Sequence, residues 1–486
     1  MTKSSWYIIP AAFFLLINFV ISPVKIFFFW RLIYFLFFIS FFFFLKNFDL
    51  SKIIKFSIGG SSLIIFLYGI IQKFFLFPHY LKTIEPGNDF YSQALIIRLK
   101  SGRVFSIFTL PALYAIICCI FIIFILHYMI RSKRKFFWGG LMALGLFNLV
   151  LTQSFGGLLY LSVGILIYLF MSGILKLRFL APVVMVISLF FFIVAGLRFS
   201  EVKRLEPFKL RVSNWNQALR VIQSSPLWGV GLGNYEAEIS NHILSGESRS
   251  IYSHNFVLQF VAENGVLIAI LIIFFLFFLR KKLKPPDRKE RVLYLSAFFI
   301  ILIYNLLDIG LYFFSSALAT VVVLSQMYRA SLKTENHFNL RFKLNLVFLF
   351  SLGMVLVLGA ISDGYQKKGD FQFHQKDFLE SKQSYRKSLI FNPCNHKAIV
   401  ARALVEFNEE NFQDSYNYLK RALKLYPDSA FANHLMSKIH YHKGQFFSAF
   451  FQASNAHHKD RLNPQYAAWY KYIKDHLQEI LSLTGG

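Results

Sequence analysis

The sequence predicts an all-α protein: a polytopic membrane helix bundle followed by a C-terminal solenoid of helical repeats. Three observations predict it. The 486 residues are 56% hydrophobic, with 60 phenylalanines, and only 16% are charged, whereas soluble domains carry roughly 25% charged residues. The mean hydropathy is +0.50. Apolar runs of membrane-crossing length recur as far as Ile361, after which the composition turns polar and begins to repeat. Together these exclude an ordinary soluble enzyme and a disordered chain. The three cysteines, Cys118, Cys119 and Cys394, suggest neither a disulfide framework nor a CxxC metal site.

A helix crossing about 30 Å of hydrocarbon needs roughly 20 apolar residues, and with no water at that depth it must close its own backbone hydrogen bonds. About eleven segments meet the length requirement: Trp6–Val24, Ile26–Leu45, Phe56–Phe77, Phe105–Ile130, Phe136–Leu151, Ser154–Leu175, Phe179–Gly196, Phe256–Leu279, Val292–Tyr312, Phe313–Tyr328 and Leu344–Ile361. Short loops rich in Lys and Arg stay cytoplasmic. Alternate loops collect Lys46, Lys52 and Lys55, then Arg131, Lys133, Arg134 and Lys135, then the cluster from Arg280 to Arg291, while the opposite loops hold only Lys25, Lys82, Arg98, Lys100 and Arg103. This predicts a cytoplasmic N-terminus and an exterior C-terminus. Most of the net charge of +27 is then a topology signal and requires no nucleic acid. Lys3 ahead of the first apolar stretch reads as a start-transfer helix, because no small-residue cleavage site follows.

The chain thus divides into a membrane domain, 1–361, with a long exterior loop at 197–254, and an exterior tail, 362–486. The tail repeats: Phe378, Phe412 and Phe446 are evenly spaced by 34 residues, as are Ser381, Ser415 and Ala449, and Pro393 is followed at the same step by Pro427. A 34-residue period with a small residue, an aromatic and a proline closing each helix pair is the tetratricopeptide signature. Stacked repeats present concave surfaces, so the tail is expected to bind a protein partner.

In the exterior loop, Arg211 and Trp215 share one face of a helical stretch that Pro226 terminates. Gly229, Gly231 and Gly233 follow as a glycine-alternating turn. Because they follow a helix and not a strand, the dinucleotide fingerprint is rejected. His254 and Asn255 stand where the chain re-enters the bilayer, and Gln259 and Glu263 continue a polar stripe at steps of four. Polar groups within a span usually face the bundle interior or a wet cavity, so a hydrophilic pocket opening outward is expected beside this span. Asp308, with Asn305, is expected to make an interhelical hydrogen bond.

These residues resemble the shared region of the O-antigen ligase and O-antigen polymerase superfamily. "RVSNWNQALRVIQSSPLWGVGLGNYE" followed by "HN" carries the resemblance through Arg211, Trp215, Pro226, Gly229, Gly231, Gly233, His254, Asn255 and Gly265. "RVFSIFTLPALYAI", from Arg103, is similar to an earlier family element and keeps Arg103, Ser106, Phe108 and Pro111. "LTQSFGG" is similar to the family's T-x-S-R-G element but has Phe155 where an arginine is common, and Ile268 replaces a small or hydroxyl residue.

The resemblance implies a membrane bundle of the C-type glycosyltransferase-like class in a bacterial inner membrane. It implies transfer of a glycan from a polyprenyl diphosphate carrier to an acceptor hydroxyl, foremost O-antigen ligation to lipid A–core in lipopolysaccharide biosynthesis. A repeat-unit polymerase and a protein O-oligosaccharyltransferase share that chemistry; a lipid-linked sugar flippase and a non-catalytic scaffold are more distant alternatives. His254 would take or orient the acceptor proton, and Arg211, then Arg103 and Arg204, would hold the diphosphate, with Arg98 and Arg198 behind them. Trp215, Asn255, Gly231, Gly233 and Glu263 would support the site. No metal and no other cofactor is implied.

Overall fold

Pro111 opens the helix around which the others pack, because proline at the first turn forfeits no intrahelical hydrogen bond. The structure, a computed structural model, describes residues 8–83, 90–174, 180–197, 206–244, 250–280, 288–329 and 340–484. The described helices of the membrane domain are α1 (Ile8–Ile21), α2 (Lys25–Leu45), α3 (Ser51–Ile71), α4 (Phe77–Thr83), α5 (Phe90–Ser101), α6 (Pro111–Arg131), α7 (Lys135–Leu151), α8 (Phe155–Met171), α9 (Leu180–Leu197), α10 (Glu206–Ser224), α11 (Tyr235–Ile239), α12 (Phe256–Arg280), α13 (Arg288–Leu307) and α14 (Phe314–Arg329). In α6, 72% of the most apolar stretch is buried, against 17% in α2. The first is therefore central and the second lies at the rim. Gly164 of α8 faces Ile300 of α13, where a Cβ would collide; small residues of this kind let membrane helices approach closely.

Among the described residues, five helices are long and apolar enough to cross a membrane, and four apolar helices are shorter. The eleven expected spans differ from this in three instructive places. The segment expected to begin at Phe105 is irregular up to Pro111, since Ser106 lies at φ 50°. The segment Val292–Tyr312 stops being α-helical at Leu307 and passes into a 3₁₀ turn, Gly310–Tyr312. The segment Phe256–Leu279 is broken at Gly265, at φ 80°, ψ 168°. Non-helical backbone at membrane depth is tolerated where protein covers it; the breaks at Gly265 and after Leu307 are buried, whereas the segment before Pro111 buries Ser106 but leaves Ile107 exposed.

The expected boundary at Ile361 is not a break. A single helix, α15 (Leu340–His374), carries the last apolar run and continues into the tail. It is followed by α16 (Phe378–Phe391), α17 (His396–Asn408), α18 (Phe412–Leu425), α19 (Ala430–His442), α20 (Phe446–Lys459) and α21 (Pro464–Thr484). Phe378, Phe412 and Phe446 each begin the second helix of an antiparallel pair. Within each pair a small residue sets the approach: Ser381 Oγ donates to Gly369 O at 3.0 Å, Ser415 Oγ to Ala403 O at 2.8 Å, and Ser437 Oγ to Ala449 O at 2.6 Å. The tail touches the rest of the chain at Tyr426, whose ring lies 5.6 Å from that of Phe27, and at Lys397, 3.4 Å from Glu236.

Candidate functional site

Asp308 follows the last turn of α13, its carboxylate 8% exposed. A buried charge needs partners, and two side chains supply them. His254 Nδ1 lies 3.2 Å from Asp308 Oδ1, and Arg211 Nη2 lies 3.5 Å from Oδ2. Arg211 also donates from Nη1 to Leu307 O. The imidazole and guanidinium retain 32% and 33% of their side-chain exposure, so the carboxylate is enclosed while its partners remain open to a substrate. Asp308 does not simply tie two helices together, as expected of it, but joins Arg211 to His254.

Local folding explains the meeting. Arg211 and Trp215 lie one turn apart on α10, and Trp215 Nε1 donates to His254 O at 3.3 Å. Asn255 Oδ1 accepts from Leu258 N at 3.0 Å, capping α12. Its Nδ2 donates to Leu306 O at 2.9 Å, and Phe256 N donates to Asp308 O at 2.9 Å. These bonds hold His254 at φ 51°, a region disfavoured for a residue with a Cβ and recurrent at functional sites. A carboxylate on Nδ1 leaves Nε2 as the nitrogen able to accept a proton.

The glycine turn has a structural task. Breaking α12 at Gly265 strands backbone groups that a continuous helix would pair. Val230 N donates to Ala262 O and Gly231 N to Glu263 O, both at 2.9 Å, and Val266 N donates to Pro226 O at 2.9 Å. Gly231, at φ 98°, passes so near α1 that a Cβ would stand 2.8 Å from Ser22 Cα. A Cβ on Gly265 would stand 2.6 Å from Trp228 N. Glu263 locks the arrangement: its carboxylate accepts from Gly233 N and Tyr312 Oη at 2.8 Å and from Gln259 Nε2 at 3.3 Å. Gln259 Oε1 in turn accepts from Ser253 N at 3.2 Å, beside His254. Gln259 and Glu263 are thus buried and internally bonded; they do not line the open pocket expected of them.

The remaining expected residues fall into two groups. Arg103 Nε donates to Thr152 O at 3.2 Å and Val104 N to Leu151 O at 3.0 Å, so the Arg103 element packs on the turn that leads to Phe155. Gln72 in the π-helical turn Gln72–Leu76 holds this segment, its Oε1 accepting from Phe105 N at 2.9 Å and Ser106 N at 2.8 Å. Arg98 donates to Thr109 O. Arg198 and Arg204 lie outside the described residues. The link from this turn to Asp308 is aromatic: Tyr160 of α8 lies 5.4 Å from Tyr304, whose carbonyl accepts from Asp308 N at 2.7 Å.

Sequence reasoning gave no role to Asn18, Gln72, Arg31 or Tyr312. Asn18 Oδ1 accepts from Leu232 N at 2.5 Å, and the Arg31 guanidinium lies 4.1 Å over the Tyr312 ring. Of these, Arg31 carried a local signal as an ionisable residue within the expected span Ile26–Leu45, as Asp308 did in its own, since such groups are functional by default.

Among curated proteins no match is found. A solved structure described as the first tetratricopeptide domain of Spaghetti (RPAP3) bound to an HSP90 peptide is 17% identical to the chain. It covers 25% of this chain and 95% of its own, at a TM-score of 0.24, a likeness too slight to carry a conclusion about the tail. The sequence model of a family described as O-Antigen ligase matches residues 140–273, a stretch that contains Arg211, Trp215, the glycine turn and His254 but not Asp308, so this multi-pass membrane chain is similar to O-antigen ligases across the part that carries the arginine and the histidine of its candidate site.

Proposed function

We propose that the protein is a membrane glycan transferase that moves an oligo- or polysaccharide from a polyprenyl diphosphate carrier to an acceptor hydroxyl, foremost O-antigen to lipid A–core at the outer face of a bacterial inner membrane. The observation that carries this reading is the shared carboxylate, with His254 on one oxygen of Asp308 and Arg211 on the other; both partners of Asp308 lie inside the stretch similar to O-antigen ligases. His254 Nε2 takes the proton of the acceptor hydroxyl as its oxygen forms a bond to the anomeric carbon. The bond from that carbon to the diphosphate breaks, and its electron pair leaves on the diphosphate oxygen. Arg211 supplies the permanently charged planar donors that stabilise that oxygen. Asp308 fixes the imidazole orientation and stabilises the imidazolium that forms. General-base assistance of this kind contributes about 10²–10⁴ in rate.

The repeating helix pairs of the tail support a tetratricopeptide solenoid that binds a protein, and this favours protein O-glycosylation as the second reading. Deleting the gene and displaying lipopolysaccharide on a gel tests the proposal. Loss of the attached ladder, rescued by the wild-type gene but not by His254→Ala or Arg211→Ala variants that insert normally, is the expected result. Rescue by both variants overturns it. Accumulated carrier-linked polymer identifies a ligase, single repeat units on the core a polymerase, and under-glycosylated proteins the protein-directed enzyme.

A further inference from the structure

The tail carries a cationic cleft that the transfer chemistry does not use. Arg386, Leu389 and Ile390 of α16, Arg402 of α17, and Tyr418 and Arg421 of α18 line a cleft of about 280 Å³. Its charges are only partly compensated. Arg402 Nη2 meets Glu406 at 2.6 Å, but its Nε is buried with no hydrogen-bond partner. Glu406 is already engaged by Lys382 and Asn411, each at 3.0 Å. Arg421 donates to Pro393 O. Arg386 has no ion pair among the described residues.

The level of the cleft follows from α15. Its apolar run ends at Ile361, and Asp363 is the first charge beyond it. Ser362 Oγ lies 2.9 Å from Ser388 Oγ, and Asn395 Nδ2 reaches Ser362 at 3.0 Å and Asp363 at 3.2 Å. The C-terminal turn of α16 therefore sits level with the point where α15 leaves the apolar layer. Ile390, 66% exposed, lies at that end, and Arg386 and Arg402 lie farther from it. An apolar lip at the membrane edge below convergent guanidiniums matches a phospholipid, with its chains below and its phosphate above. Guanidinium forks suit phosphate oxygens, and anionic membrane surfaces attract clustered Arg side chains. A free phosphate has no use for the apolar lip.

We propose that this cleft binds the phosphate of an anionic phospholipid headgroup from the leaflet on which the tail rests, and so fixes the tail relative to the bilayer. The inference rests on the course of α15 and is independent of the glycan transferred. Full-length protein in lipid nanodiscs tests it by hydrogen–deuterium exchange, comparing phosphatidylcholine alone with phosphatidylcholine plus phosphatidylglycerol. The anionic lipid is expected to slow exchange about tenfold, the change expected of about 1.4 kcal/mol of binding, in the segments around Arg386 and Arg421. Arg386→Glu abolishes this slowing, whereas Lys387→Glu, outside the cleft, preserves it. Unchanged exchange in α20 and α21 shows that the variants remain folded. Equal slowing in zwitterionic discs on adding inorganic phosphate, or no response to phosphatidylglycerol, overturns the proposal.

Discussion

His254 and Asp308, 54 positions apart, meet at 3.2 Å between Nδ1 and Oδ1, and the second carboxylate oxygen belongs to Arg211. The three side chains come from α10, the turn before α12 and the end of α13, so a defect in one is transmitted to the others. Pair effects on catalysis should therefore be non-additive.

Arg211 is predicted to act on both donor binding and the histidine. Arg211→Ala leaves Asp308 with one cation fewer, and Arg211→Lys keeps the charge but loses the planar fork. Steady-state kinetics with a synthetic polyprenyl diphosphate donor should show a raised donor KM for Lys, and both a lowered kcat and a raised donor KM for Ala. Wild-type kinetics for the Ala variant would remove Arg211 from the site.

Glu263→Gln replaces one acceptor oxygen with an amide that donates. The Glu263 carboxylate takes hydrogen bonds from Gly233 N, Tyr312 Oη and Gln259 Nε2, so at least one donor is left facing another. A buried unsatisfied group costs about 1–3 kcal/mol. The detergent-solubilised variant should unfold at lower temperature than the wild type.

Gly265→Ala places a side chain where φ is 80° and ψ 168°, a region essentially restricted to glycine, at a cost of order 1–3 kcal/mol. It also meets the backbone at Leu227 and Trp228. Gly139→Ala, where a Cβ meets nothing within 4 Å, is the matched control. Yield of folded protein by fluorescence-detected gel filtration should fall for the first and not for the second.

The tail should weaken in acid. Burial, and then the neighbouring Lys397, holds the His396 ring down at about 4, and burial with Lys438 does the same at His434. Unfolded histidine titrates near 6.5. Between those values the unfolded state binds more protons, so the stability present above pH about 6.5 is lost as pH falls toward 4. Melting of the tail followed against pH should show this drop. His396→Phe with His434→Phe should flatten it.

Much of the helical layout was legible because its signals are local: apolar length, the 34-residue step, and Pro226 and Pro393 as punctuation. The breaks were not. Gly265 lies within a segment that reads as one continuous span, and nothing nearby in sequence announces that Pro226 and Val230 will pair with the opened backbone. At the candidate site, His254, Arg211 and Trp215 stood out through the resemblance that their pattern carries, helped by interfacial placement. Asp308 looked like a bond between helices, because its partners lie far away in the chain. Asn18 reaches Leu232 N across 214 positions, a relationship no local pattern encodes.

The most direct test is a double-mutant cycle on His254 and Asp308, measured as transfer by purified protein from a polyprenyl diphosphate glycan. The account predicts that His254→Ala lowers kcat by about 10²–10⁴, that Asp308→Asn lowers it substantially, and that the double variant is no worse than His254→Ala alone. Independent, additive losses, or full activity in His254→Ala, would contradict it.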